Sequence, residues 1–145
     1  MVVTAAEHGH VDDLRLLIAA KADADEKNTD DAYAFTALEW TIRNGHADAA
    51  EFLIQAKADV DRGEPMMIAA EQGDVRVLRV LVTAKGDLAY TNGNAETSLL
   101  KAAKNDQTEA VQLLIAAKAY VDVFEDTEGR TPVAIAAENG YTNTL

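Results

Sequence analysis

The side chains able to do chemistry are few, and their spacing argues against it. His8, His10 and His46 are the only imidazoles in a 145-residue chain that contains no cysteine. Without thiols there are no disulfides, thiolate metal sites or cysteine nucleophiles, and a reducing or an oxidising compartment suits the chain equally. His8 and His10 lie two apart, so on a helix they would point in different directions, which argues against a shared metal. Asp23-x-Asp25 and Asp59-x-Asp61 resemble the opening of a calcium loop, but the downstream Gly and Glu are missing. Asp30 and Asp31 are adjacent rather than facing, and nothing beside them separates two carboxyl pKa values as acid–base work requires. No Gly-rich phosphate loop, serine nucleophile elbow or His-Glu-x-x-His occurs. The sequence therefore predicts no catalytic residue, no metal, no cofactor and no enzymatic activity.

Composition narrows the remaining classes. Hydrophobic residues make up 48% of the chain, enough for a core, and no apolar run approaches membrane-spanning length. No secretory leader is recognisable, so the cytoplasm is favoured; a periplasmic or secreted location follows if a leader was removed. A net charge of −12 argues against nucleic acid or an anionic membrane as partner, because both select clustered Lys and Arg. A protein with a basic surface is the expected partner.

The elements that would position such a surface repeat along the chain. AAEHGHVDDLRLLIAAKADAD (5–25), TIRNGHADAAEFLIQAKADVD (41–61), AAEQGDVRVLRVLVTAKGDLA (69–89) and AAKNDQTEAVQLLIAAKAYVD (102–122) align without gaps, and AAENGYTNTL (136–145) begins a fifth. Lys21, Lys57, Lys85 and Lys118 mark the same point in each, a period of about 33 residues that signals a stacked repeat array. Within each unit, apolar residues recur at three- and four-residue spacing: Val11, Leu14, Leu17, Ile18; Ala47, Ala50, Leu53, Ile54; Val75, Leu78, Leu81, Val82; and Thr108, Val111, Leu114, Ile115. Each stripe belongs to a second helix after a Gly turn, and one helix pair is too small to bury it alone, so neighbours must stack. The Lys just past each second helix is expected in the left-handed region, at a cost of roughly 1 kcal/mol that a cation at a helix C-terminus partly offsets.

These motifs resemble the ankyrin repeat family. The last unit carries Asp126, Gly129, Thr131, Pro132, Ala136, Ala137 and Gly140 of its pattern, and the second carries Gly45, His46, Leu53, Ala58, Asp59, Val60 and Asp61. The resemblance covers the whole chain and implies an all-α solenoid of five helix-turn-helix units, approximately 1–25, 26–61, 62–89, 90–122 and 123–145, the first and last incomplete. It further implies β-hairpin fingers between units, and structural hydrogen bonding for His10 and His46 at the Gly-His turn.

The fingers are irregular. EKNTDDAYAF (26–35) is longer than the family pattern, whereas Arg62, Gly63 and Glu64 leave the finger before repeat three missing. Ordinary fingers are expected around Asn92-Gly93-Asn94 and 126–129. The family geometry places finger tips and the outer side of the first helices on a concave groove. On repeat two that selects Ala32, Tyr33, Phe35, Trp40, Arg43 and Asn44; elsewhere it selects Glu71, Gln72, Lys104, Asn105, Glu128 and Arg130. Tyr33, Phe35 and Trp40 are three of the chain's eight aromatics, and aromatics with Arg dominate binding hot spots. Asp30, Asp31, Glu39, Glu96, Glu125, Asp126 and Glu128 are expected to make the groove acidic and to steer a cationic partner.

The expected function is a non-catalytic, monomeric module that binds one folded protein through the groove and the enlarged finger of repeat two. Two alternatives follow from the same residues: a dedicated inhibitor or immunity-type protein whose finger occludes a partner enzyme's active site, and a structural segment of a longer array.

Overall fold

A computed structural model describes residues 1–27, 34–62, 64–117, 119, 129 and 131–138, excluding the side chains of Pro132, Ile135 and Ala136. The described residues divide into two compact units, Met1–Pro65 and Met66–Leu145. The expected finger residues Ala32 and Tyr33, the tip around 126–128 and Arg130 lie outside the description, as does Lys118.

The first unit contains α1 (Val2–Glu7), α2 (Val11–Ala19), α3 (Ala37–Arg43) and α4 (Ala47–Gln55). First helix packs on first helix, α1 on α3, and second on second, α2 on α4. Val2, Ala5 and Ala6 of α1 and Leu38, Thr41 and Ile42 of α3 are buried together with Leu14, Ala50 and Leu53 of the second helices. Small residues at 5, 6 and 37 let the short helices approach closely. On the outer side, the Arg15 guanidinium lies 5.1 Å over the Phe52 ring and ties α2 to α4.

The second unit contains α6 (Val75–Thr83), α7 (Ser98–Lys104), α8 (Thr108–Ala116) and α9 (Pro132–Glu138). α5 (Pro65–Gln72) opens at the boundary. α7 packs on α8 and α9, and α6 on α8. All regular elements among the described residues are helical, and the sole strand-like feature is an antiparallel bridge between Lys27 and Thr36. Around Asn92-Gly93-Asn94, Asn92 N–H donates to the Glu96 carbonyl (3.1 Å) and Ala95 N–H to the Asn92 carbonyl (3.0 Å). That is a hydrogen-bonded turn without the strand pairing expected of a finger.

The turns behave as the repeat pattern requires. Gly9, Gly45 and Gly73 end their first helices at φ 67°, 73° and 73°, and Asp106 takes the same role at φ 56°. Lys21, Lys57 and Lys85 are left-handed at φ 64°, 71° and 64°, as expected of the residue past a helix end. The stripe holds at Leu14, Leu53, Leu78, Leu81, Val111 and Leu114, all buried, but Ile115 is 40% exposed. α8 is the last second-type helix among the described residues, so no described helix covers its far side. The start of α1 is capped from a distance: Glu26 Oε2 accepts from Val2 N–H at 2.8 Å.

Candidate protein-binding face

On α3, Trp40 and Arg43 are three residues apart and therefore share one side of the helix. Phe35 stands one position before the N-cap Thr36, where the chain turns into α3 after Ala34, itself left-handed at φ 44°. That entry folds the Phe35 ring under the Arg43 guanidinium, 4.1 Å from ring centroid to Cζ. Trp40 meets the same ring edge-on, at 5.6 Å and 88°. Phe35 and Trp40 are half-buried while Arg43 is exposed, so the guanidinium forms the outer layer. The Trp40 Nε1 is buried with no acceptor among the described residues.

Three neighbours hold this cluster in place. Thr36 and Glu39 form a reciprocal capping box: Thr36 Oγ1 accepts from Glu39 N–H (3.2 Å) and Glu39 Oε2 from Thr36 N–H (2.8 Å). The other Glu39 oxygen accepts from Glu64 N–H at 3.0 Å, which ties Glu64 to the start of α3. At the far end of α3, Asn44 Nδ2 and His46 Nε2 both donate to the Glu7 carbonyl, at 3.0 and 3.1 Å, and so join the end of α1 to the next turn. Asn44, expected to face a partner, is thus occupied by the neighbouring repeat.

The second unit carries an ionic counterpart in the same register: Glu96 aligns with Phe35, Lys101 with Trp40 and Lys104 with Arg43. Lys104 Nζ lies 2.7 Å from Glu96 Oε1, and Lys101 Nζ lies 3.4 Å from Glu96 Oε2 and 3.5 Å from Glu71 Oε1. Asn92 Nδ2 also donates to Glu96 Oε2, at 3.1 Å. Burial alone would raise the Glu96 carboxyl. The hydrogen bonds from Lys104 and Asn92, with the charges of Lys101 and Lys104, outweigh it and hold the group below the ordinary carboxylate range.

Two carboxylates expected on an acidic groove are therefore internal. Glu39 is 4% and Glu96 7% exposed, the first consumed by backbone N–H groups and the second by two lysines and an amide. Of the other expected contact residues, Gln72 and Asn105 are exposed, and Asn105 Nδ2 donates locally to the Lys101 carbonyl at 2.9 Å. Glu128 and Arg130 fall outside the described residues. The structure brings Phe35, Trp40 and Arg43 together in one unit and Glu71 and Lys104 around Glu96 in the other. Sequence reasoning did not select Glu96 as the hub of that cluster; its register match with Phe35, five residues before Lys101 and eight before Lys104, was the available signal.

Among the described residues no group of three or more His, Cys, Asp or Glu could hold a metal, and no helix is long and apolar enough to cross a membrane. The family description "Ankyrin repeats (3 copies)" matches residues 1–64 and 66–145. The chain belongs to the ankyrin repeat family. Ankyrin repeats are protein–protein interaction modules. Over 80 residues the chain is 34% identical to "Ankyrin repeat and KH domain-containing protein mask-1" of Caenorhabditis elegans, which covers 53% of this chain and 3% of that protein. Over 76 residues it is 39% identical to "Cortactin-binding protein 2" of Rattus norvegicus, covering 50% of this chain and 4% of the relative. These ankyrin relatives are thus many times longer than the segment they share with this chain.

Proposed function

We propose that this ankyrin repeat chain is a non-catalytic module that binds a folded protein through the α3 face of its first unit, with Arg43, Phe35 and Trp40 as anchor. The observation that carries the reading is the layered cluster itself. Arg43 is exposed, yet its guanidinium is already seated on an aromatic ring, so less rotamer entropy remains to be lost when a partner lands on it. An Arg seated on Phe35, with Trp40 edge-on to the same ring, combines the residue types that dominate hot spots. Beneath it, the Glu39 capping box and the bonds of Asn44 and His46 to Glu7 fix α3, so the anchor sits on a rigid element. The name of the rat relative records binding of another protein, cortactin, which agrees with a protein as the partner class. The net charge of −12 favours a partner with a basic rim, and binding should weaken as salt rises.

The test is capture from native extract by the immobilised chain, run beside Arg43→Ala and Trp40→Ala with the fold of each verified by circular dichroism. Proteins retained by the parent and lost from both folded variants support the anchor. Retention by both variants removes it.

A second reading, a segment of a longer array, is favoured by one surface of the first unit. Met1, Thr4, His8, His10, Leu16 and Leu17 line an open apolar groove on α1 and α2, with Leu16 70% exposed. In register, His8 and His10 correspond to Asn44 and His46, the pair that grips the preceding helix at Glu7. Concentration-dependent association that Leu16→Glu abolishes supports stacking on this face. A monomer at all concentrations counts against it.

A further inference from the structure

The sequence contains three Asn-Gly pairs, Asn44-Gly45, Asn92-Gly93 and Asn139-Gly140, and the structure treats the first two very differently. In an Asn-Gly pair the Gly nitrogen can attack the Asn side-chain carbonyl, because no Cβ shields it. At Asn44 both reacting groups are engaged: Nδ2 donates to the Glu7 carbonyl (3.0 Å) and Gly45 N–H to the Ile42 carbonyl (3.0 Å), with Gly45 fixed at φ 73° in the helix-ending turn. At Asn92 the nucleophile is free. Gly93 is exposed, its N–H has no acceptor among the described residues, and a Cβ built there meets nothing within 4 Å.

The electrophile at Asn92 is also prepared. Its Oδ1 accepts two backbone N–H bonds, from Asn94 at 2.9 Å and Glu96 at 3.0 Å. Two convergent donors polarise the carboxamide and stabilise the negative charge that develops on its oxygen when Cγ is attacked, as an oxyanion hole does. From these two observations we infer that Asn92 is a self-modification site of this chain, converting through a succinimide to aspartate and isoaspartate.

The steps balance with water as the sole co-reactant. The Gly93 nitrogen gives its proton to solvent and bonds to Asn92 Cγ. The Cγ–Nδ2 bond breaks, and Nδ2 leaves as ammonia after taking a proton from solvent. Water then opens the five-membered ring at either carbonyl, leaving aspartate at one and isoaspartate at the other. The product is not silent. Asn92 Nδ2 is a donor to Glu96 Oε2 at 3.1 Å, so its replacement by a carboxylate oxygen sets like charges together where Lys101 and Lys104 were balanced by Glu96 and Glu71. Isoaspartate in addition lengthens the backbone by one methylene inside the turn that the Asn92 and Ala95 N–H bonds close.

The experiment is incubation of the full chain at mildly alkaline pH, with peptide mapping by mass spectrometry over time. Three Asn-Gly peptides are quantified separately. Both Asn side-chain amide nitrogens donate a hydrogen bond, but only Gly45 N–H must also be freed by local opening before it can attack, so the Asn92 peptide is expected to convert at least about tenfold faster than the Asn44 peptide. Gly93→Ala, which the open space at residue 93 accommodates, should slow the Asn92 conversion while the fold persists. Asn44 converting as fast as Asn92 overturns the assignment, as does an unchanged rate in Gly93→Ala. A covalent link between the Asn92 peptide and a Lys101 or Lys104 peptide also overturns it, since a lysine would then be the nucleophile.

Discussion

Gly9 and Gly45 occupy the same turn in successive repeats, at φ 67° and 73°, but they face different surroundings. A Cβ at Gly45 meets nothing within 4 Å, whereas a Cβ at Gly9 lands 2.6 Å from His46 Cγ, well inside ordinary van der Waals contact. Gly45→Ala therefore costs little beyond the left-handed backbone, roughly 1–2 kcal/mol, less the 0.4–1 kcal/mol that alanine recovers by restricting the unfolded chain. Gly9→Ala carries the same backbone term and must also displace a ring held by its 3.1 Å bond to the Glu7 carbonyl. Overpacking adds about 1–3 kcal/mol if the ring stays, and loss of the hydrogen bond about 0.5–1.5 kcal/mol if it moves. The expected destabilisation is thus about 1 kcal/mol for Gly45→Ala and about 2–4 kcal/mol for Gly9→Ala. Urea unfolding of the full chain reads both. His46→Ala should remove the excess at position 9, so the double variant Gly9→Ala/His46→Ala must be strongly non-additive. Equal losses at positions 9 and 45, or an additive double variant, would refute the role assigned to His46 as the wedge between repeats.

Other outcomes follow from the same contacts. Glu96 has a lowered folded pKa, so its stabilisation is fully present above the ordinary carboxylate value of 4.5 and disappears as pH falls through the lower folded value. The stability gap between the parent and Glu96→Gln, about 1–3 kcal/mol at neutral pH, should close in acid; a gap independent of pH contradicts the ionic network. Glu39→Ala removes acceptors from Thr36 and Glu64 together and should cost about 2–3 kcal/mol, with faster amide exchange at Glu64 as the specific readout. Asp106→Gly relieves a left-handed aspartate and removes an anion from the C-terminal end of α7. It should stabilise by about 0.5–1 kcal/mol, and a lower urea midpoint would count against that reading.

The parts of this structure that depend on periodicity were readable in advance. The helix pairs, the buried Leu14, Leu53, Leu78 and Leu114 and the left-handed Lys21, Lys57 and Lys85 all follow from residue type at a fixed place in a repeating unit. What depends on encounters between units of sequence was not. Glu39 and Glu96 look like surface carboxylates in a chain rich in them. Their burial follows from partners brought in by folding, Glu64 N–H in one case and two lysines with an amide in the other. The Trp40–Arg43 spacing announces a shared helix face, yet the Phe35 ring beneath the guanidinium depends on the positive φ of Ala34, which no residue preference signals. Ile115 shows the converse: it has the right spacing for the stripe, but burial requires a neighbour as well as a pattern.

The most direct test of the binding account is a comparison of proteins captured from native extract by the parent chain and by Arg43→Glu. Arg43 is exposed, and its contact with Phe35 is worth about 0.5–1 kcal/mol, so the unfolding curve of Arg43→Glu is recorded first to establish that the variant is folded. The account predicts that a partner held by the parent is lost from this folded variant, and held more weakly by the parent as salt rises. The same partner retained at the same strength by Arg43→Glu would contradict it.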